Sequence, residues 1–138
     1  MARRYEQITE LYRQSIREIT SRPENWTSFL RSACRNYRLP FDELVLIYAQ
    51  RPDATAVLPI EGKNGWNKRF GRWVNRGATG IAVFDREYVH GTRLKYYFDI
   101  SDTHESRFAR PIPLWEVQSG QEADVIESLE NRFGELES

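Results

Sequence analysis

The hydrophobic pattern of the chain changes its period at Pro52, and this change constrains the fold more than any other feature of the sequence. Before Pro52, apolar residues recur every three or four positions, which is the pattern of helices that bury one face. From Thr55 onward, short β-branched and alternating runs are separated by proline and glycine turns, which indicates strands. The sequence therefore predicts a helical part followed by a sheet.

Three helices are predicted within residues 1–52. The first ends before Pro23, and Asn25 is expected to cap the second. The third follows Pro40 and is stopped by Pro52. The apolar stripe of the first helix consists of Tyr5, Ile8, Leu11, Tyr12, Ile16 and Ile19, and that of the second consists of Trp26, Phe29, Leu30, Ala33, Cys34 and Tyr37.

Strand patterns fill the middle of the chain. Residues 55–60 predict a strand at a sheet edge, because Pro59 has no N–H to donate to a ladder. Residues 66–70 are expected to make one or two helical turns. Residues 79–84 and 93–100 are expected to form the two strands of a hairpin.

The expected fold class is α+β, with N-terminal helices packed on a small, mostly antiparallel sheet and a C-terminal helix over about residues 122–133. With 138 residues, the chain is expected to form one domain. This domain has a helical part (1–52), a sheet-forming part (53–117) and an acidic C-terminal helix (118–138). The sequence shows neither a long apolar run nor a secretory signal, so the expected location is the cytoplasm, without a membrane partner.

The net charge of zero hides a division between the two halves of the chain. Residues 1–76 carry 14 Lys and Arg against 8 Asp and Glu, a balance of +6, and residues 77–138 carry 6 against 12, a balance of −6. Such asymmetry can concentrate a field on one face of a neutral molecule. A polyanion is therefore expected to meet the first half of the chain.

Few residues are suited to catalysis. The chain has two histidines, His90 and His104, and a single cysteine, Cys34. His104-Glu105 begins like a zinc-protease helix motif, but the fifth position is Phe108, so the motif fails. No phosphate-binding glycine loop is present either. We expect no catalytic residue, no metal and no cofactor, and hence no enzyme.

Cations and aromatic residues alternate in the segment 63–76, which contains no acidic residue. Proteins that bind single-stranded nucleic acid combine cations for phosphates with aromatic faces for bases. We therefore predict a nucleic-acid-binding site formed by Lys63, Trp66, Lys68, Arg69, Arg72, Trp73 and Arg76.

Two other interpretations of this segment remain open. Trp66 and Phe70 are spaced by four residues, which is also ordinary helix packing in a core. A patch rich in arginine and tryptophan is also what protein interfaces use. Salt dependence distinguishes phosphate contacts from an aromatic protein interface, because phosphate contacts weaken steeply with salt.

The order of residues in three segments resembles a known family. The segments are WTSFL (26–30), YRLPFDELVLIYAQRPDATAV (37–57) and, after Trp66, GRWVNRGATGIAV (71–83). They are similar to the N-terminal domain of ArdC-type antirestriction proteins. They also resemble the related domain at the start of large mobile-element proteins that continue into helicase or methyltransferase parts.

The resemblance implies non-specific binding of single-stranded DNA that protects an incoming element from host restriction. Carried over by position, it points to Trp66, Arg72 and Arg76, with Lys68 and Arg69 beside them, whereas Gln50 matches a family position of structural type. Two positions depart from the family pattern: its usual asparagine after the tyrosine is missing in Pro40-Phe41-Asp42-Glu43, and its lysine in the turn is Ala78. The histidine-glutamate metallopeptidase motif of the family is absent, so no protease activity is implied.

Two alternatives to DNA binding belong to other classes. The acidic second half, with most of its charge between Glu116 and Glu137, would suit a mobile-element or phage factor that inhibits a host defence protein by imitating nucleic acid. The chain would also suit the targeting module of a longer enzyme.

Overall fold

The computed structural model describes residues 2–85, 93–112, 124 and 127–131. Three helices come first: α1 (Ala2–Ile19), α2 (Pro23–Cys34) and α3 (Phe41–Gln50). A π-helical turn, Trp66–Phe70, and a short 3-10 helix, Ile100–Asp102, lie among five strands. The strands are β1 (Val57–Leu58), β2 (Arg72–Val74), β3 (Ile81–Phe84), β4 (Leu94–Asp99) and β5 (Thr103–Glu105).

The helices agree with the predicted stripes, except that α2 ends at Cys34, before Tyr37, and begins earlier than predicted. Its N-cap is Arg22 and Pro23 lies in its first turn, because proline has the helical φ already and lacks the N–H that a first turn leaves unbonded. Asn25 therefore lies inside α2, where its side-chain amide donates to the carbonyl of Glu18, 3.0 Å away, at the end of α1. The prediction of Asn25 as N-cap is wrong.

The strands form two separate antiparallel sheets. The first has the order β1-β4-β3, and it contains the predicted hairpin with Ile81 opposite Tyr97 and Phe84 opposite Leu94. The predicted edge strand is confirmed as β1, although only two of its six residues are in strand conformation. The second sheet pairs β2 with β5, and neither of these strands was predicted.

The apolar core has two parts. One lies among the helices and includes Phe29, Leu30 and Val45. Leu129, from the helical residues 127–131, packs into this part with 4% exposure, so the C-terminal helix docks on the helical layer. The second part lies between the helices and the three-stranded sheet and includes Leu46 of α3 and Val83 of β3. The predicted α+β class is confirmed.

Some predictions fall outside the described residues. These are the hairpin turn at residues 86–92, the acidic segment from Glu116 to residue 123, and Val125, Ile126 and Phe133 of the predicted helix face.

A side-chain amide closes the free edge of β3. Gln50, the last residue of α3, donates to the carbonyl of Ala82 at 2.9 Å and accepts from the N–H of Ala82 at 3.0 Å. This amide replaces the backbone of a neighbouring strand, so both polar groups of Ala82 are satisfied. Gln50 thus has a structural role.

A buried polar contact joins α3 to β4. Tyr97 donates from its hydroxyl to one carboxylate oxygen of Glu43 at 2.5 Å, and the ammonium of Lys95 lies 3.3 Å from the other oxygen. Burial raises the pKa of Tyr97, and the hydrogen bond to Glu43 raises it further. Both oxygens of a buried carboxylate are therefore occupied inside the fold, which is the condition for keeping a charge there.

Candidate nucleic-acid interface

The two-stranded sheet of β2 and β5, here called the ribbon, displays an aromatic side chain to solvent. Trp73 of β2 lies opposite His104 of β5, and directly opposite residues share one face of an antiparallel pair. Trp73 is 50% exposed, and His104 is also exposed. Asn75 fixes the histidine ring, because its Oδ1 lies 2.6 Å from His104 Nδ1. This face of the ribbon therefore offers a tryptophan and an oriented imidazole.

Arg72 holds the other face of the ribbon together. Its Nε donates to the hydroxyl of Thr103 at 2.8 Å, one terminal nitrogen donates to the carbonyl of Thr103 at 3.3 Å, and the other lies 3.5 Å from Glu105. The side chain is only 12% exposed. The prediction that Arg72 contacts phosphate is corrected accordingly: its donors fasten β2 to β5, and a phosphate would have to compete with these partners.

Trp66 is a core residue. It is 0% exposed, its indole N–H donates to the carbonyl of Phe98 at 2.8 Å, and its ring packs 5.8 Å from the ring of Phe70. A base cannot stack on a ring that has no exposed face, so the prediction of Trp66 as a stacking residue is wrong. The alternative interpretation, in which Trp66 and Phe70 pack in the core, agrees with the burial of both.

Four of the predicted cations are exposed: Lys63, Lys68, Arg69 and Arg76. Among the residues that the structure describes, none of these four has a carboxylate oxygen within 4.0 Å. The guanidinium of Arg69 lies over the ring of Phe70, 5.1 Å from its centre. Cations without acidic neighbours keep their field for an external anion.

The fold places these cations at the two ends of β2. Lys68 and Arg69 lie in the π-helical turn that leads into the strand, and Arg76 lies in the turn that follows it. Trp73 lies between them on the strand itself. Lys63 belongs to the preceding loop.

Three further residues of this region were missed by the sequence analysis: Arg107, Phe108 and Arg110. They follow β5 and are exposed, Phe108 to 71%. Arg110 donates from its side chain to the carbonyl of Arg69 at 3.4 Å, although 41 residues separate the two in sequence. The only sequence signal for these residues is a cation, an aromatic residue and a second cation within four positions. This pattern is too common to indicate a binding site by itself.

Gly71 makes this approach of the two segments possible. It ends the π-helical turn with φ +62°, in the left-handed region that glycine adopts without strain. A Cβ atom at this position would overlap with the carbonyl group of Phe108. A glycine is therefore required here both for its conformation and for its size.

The segment between α3 and β1 serves the fold. Arg51 donates to Asp102 at 2.7 Å and to Ser101 at 3.0 Å. The neighbouring carboxylate of Asp99 is buried, which raises its pKa, but hydrogen bonds from Ser101, Ala56 and Thr55 outweigh burial and lower the pKa below its usual value. Residues 50–55 therefore connect α3 to β4 and to the start of β5.

Within the described ranges, no group of three or more histidine, cysteine, aspartate or glutamate side chains is placed to hold a metal ion. No helix of the described part is both long and apolar enough to cross a membrane. Comparison of the chain with protein-family models, with curated proteins and with solved structures found no match.

Proposed function

We propose that the protein binds single-stranded DNA through the ribbon without regard to sequence and without catalysis. The observation that carries the proposal is the half-exposed Trp73, which lies between exposed cations that have no acidic partner among the described residues. The resemblance to ArdC-type domains supports the same activity and suggests an antirestriction or mobile-element setting.

In this proposal, the aromatic and charged side chains have separate tasks. The indole of Trp73 stacks on a base, which is tolerant of sequence because every base has a π-face. Lys68, Arg69 and Arg76 neutralise phosphates on either side of that base. Lys63 precedes this surface in the sequence. His104 lies opposite Trp73 in the ribbon. Arg72 contributes indirectly by holding the ribbon in shape.

Fluorescence anisotropy of a labelled 20- to 30-nucleotide single strand tests the proposal. The wild type is compared with Arg69→Glu/Arg76→Glu at low salt and at physiological salt. Each phosphate contact contributes roughly −0.7 to the slope of log affinity against log salt on single strands. The three contacts of the ribbon therefore contribute about −2 to the slope of the wild type, and the double variant is expected to lose most of its affinity and most of this contribution.

The matched control is Arg13→Glu/Arg17→Glu, which reverses two exposed cations on α1, away from the ribbon. This control is expected to bind nearly as the wild type does. Equal loss in both double variants would indicate a general charge effect. Absence of wild-type binding at low salt would refute the proposal.

The alternative function, inhibition of a host defence protein by an acidic surface, is supported by a different observation. Leu129 is buried against the helical core, whereas Asp124, Glu127 and Glu130 of the same helix are exposed. The docked helix therefore presents carboxylates outward at helical spacing.

Establishment of unmodified DNA in a restricting host distinguishes the two functions. If the acidic surface acts, Glu127→Lys/Glu130→Lys abolishes protection and Arg69→Glu/Arg76→Glu does not. If DNA binding is responsible for protection, Arg69→Glu/Arg76→Glu abolishes it and Glu127→Lys/Glu130→Lys does not.

A further inference from the structure

We propose that residues 107–110, here called the arm, form a second contact for the same single strand, with Phe108 stacking on a base and Arg107 and Arg110 meeting phosphates. This inference rests on the proposed function and extends its site beyond β2. The sequence segment 63–76, from which DNA binding was predicted, contains none of these residues.

The arm is held rigidly against the π-helical turn. Backbone N–H groups of Ser106 and Arg110 donate to the carbonyls of Gly71 and Phe70 at 3.1 and 2.8 Å. The hydroxyl of Ser106 also donates to Gly71 and accepts from the N–H of Phe108. A binding element that is ordered before the ligand arrives does not lose conformational entropy on binding.

The side chains of the arm have the exposure that a nucleic-acid contact needs. Phe108 is the most exposed large hydrophobic side chain among the described residues, and the guanidinium of Arg107 lies 5.3 Å from its ring centre. Neither Arg107 nor Arg110 has a carboxylate partner within the described part of the chain. An exposed ring on a hydrogen-bonded turn, flanked by two cations with no carboxylate oxygen within 4.0 Å in the described part of the chain, suits a base between two phosphates.

The arm adjoins the first contact. The side chain of Arg110 reaches the carbonyl of Arg69, so the cations of both segments form one neighbourhood. Ser106 bonds to Gly71, which precedes Trp73 by two residues, or about 7 Å along a strand. A stacked single strand rises about 3.4 Å per nucleotide. Gly71, which lies next to the carbonyl of Phe108, is thus about two nucleotide steps from Trp73, so we expect one strand of a few nucleotides to reach both segments.

Anisotropy titration of labelled oligothymidine of about ten nucleotides tests the arm. Loss of one stacking contact predicts that Phe108→Ala binds about 5- to 150-fold more weakly than the wild type. Phe108→Tyr keeps an aromatic face and is expected to bind as the wild type does. Tyr96→Ala is the matched control, because Tyr96 is also an exposed aromatic residue but lies on the other sheet. It is expected to leave the affinity unchanged.

Charge is tested separately from stacking. Arg107→Gln/Arg110→Gln is expected to reduce the salt slope by about 1.4, the value for two phosphate contacts on a single strand. Thermal melting of each variant shows that the fold is intact, as expected for exposed positions.

The possible results distinguish failure of the proposal for the arm from failure of the proposed DNA binding. If Trp73→Ala weakens binding but Phe108→Ala does not, the arm is refuted and DNA binding by the ribbon stands. If Phe108→Tyr is as weak as Phe108→Ala, the aromatic face is not what matters, and the arm is again refuted. If the wild type binds no oligothymidine even at low salt, the proposed function is refuted together with the arm.

Discussion

The three-stranded sheet and the ribbon are held together by different forces. The sheet packs its apolar side chains on α3, and a side-chain amide closes the edge at β3. The ribbon has two strands of three residues each, and the polar contacts of Arg72 with Thr103 and Glu105 join them. The sheet therefore forms part of the apolar core, whereas the ribbon contributes little buried apolar surface to it.

The two regions also treat their tryptophans in opposite ways. Trp66 is buried and donates its N–H to the carbonyl of Phe98 in the sheet, whereas Trp73 lies half-exposed on the ribbon seven residues later. An exposed aromatic side chain on a region that contributes little to stability is available for binding a ligand. Substitutions in the sheet should therefore change stability first, and substitutions on the outer face of the ribbon should change binding first.

The paired variants Trp66→Ala and Trp73→Ala give the largest expected difference between the regions. Trp66→Ala leaves a large cavity and an unbonded carbonyl at Phe98, and it is expected to cost about 3–5 kcal/mol in the free energy of unfolding. Trp73→Ala is expected to cost less than about 1 kcal/mol, because the side chain is half-exposed. Urea denaturation measures both. Similar losses in the two variants would contradict the division.

The closure of the sheet edge is tested by Gln50→Leu. Leucine has a similar size but no polar group, so the N–H and carbonyl of Ala82 lose their partners. Each unsatisfied buried group costs about 1–3 kcal/mol, and the loss should appear in the free energy of unfolding. The exposed glutamine Gln14→Leu on α1 serves as the control. DNA affinity of the folded Gln50→Leu protein is expected to stay at the wild-type level.

Gly71→Ala acts where the ribbon meets the arm. The strained φ and the overlap with Phe108 are expected to cost about 1–3 kcal/mol and to displace residues 106–110. Unlike Gln50→Leu, this variant should lose both stability and DNA affinity. Denaturation and anisotropy on the same sample measure the two effects. An unchanged affinity would show that the position of the arm does not matter for binding.

The smallest expected effect is a change in how the stability of the fold depends on pH under acid conditions. It comes from Asp99, a residue of the sheet. Burial raises the pKa of Asp99, but its hydrogen bonds more than compensate, so the pKa in the folded state lies below the ordinary value of 3.8. Above pH 3.8 the carboxylate therefore contributes to stability, and this contribution is lost as the pH falls from 3.8 through the folded value.

Acid unfolding of Asp99→Asn measures that contribution. The variant is expected to be less stable at neutral pH and to show a flatter dependence of stability on pH below 3.8. Asp53→Asn removes a nearby exposed carboxylate and controls for the loss of one charge. If stability depends as weakly on pH in Asp53→Asn as in Asp99→Asn, the hydrogen bonds of Asp99 do not account for the effect.

The sequence predicted the elements whose side chains repeat regularly. The stripes of α1 and α2, the continuous apolar run of β3 and the alternation in β4 extend over enough residues to be recognised. β2 and β5 are too short for that: three residues give one alternation, and their pairing depends on a partner 31 positions away. The start of α2 was misjudged because a polar residue at Asn25 competed with the proline signal at Pro23.

The exposure and the partners of the predicted site residues depend on the fold rather than on the sequence pattern. Exposure separates Trp73 from Trp66, and it is set by the fold: Trp66 is buried in the π-helical turn, and Trp73 lies on the exposed face of the ribbon. Arg72 has the same charge as Arg69 in the sequence, but only the fold places Thr103 and Glu105 around it. The arm was missed because its proximity to Arg69 is created by a backbone contact at Gly71.

The amide of Gln50 also has a consequence for encounters between molecules. Unpaired strand edges are templates on which another chain can add a strand, either as a partner peptide or as the start of aggregation. A strand that approached β3 at Ala82 would have to displace both hydrogen bonds of Gln50 before it could form its own. One glutamine at the end of α3 thus opposes the addition of a strand from a second copy of the chain at this edge.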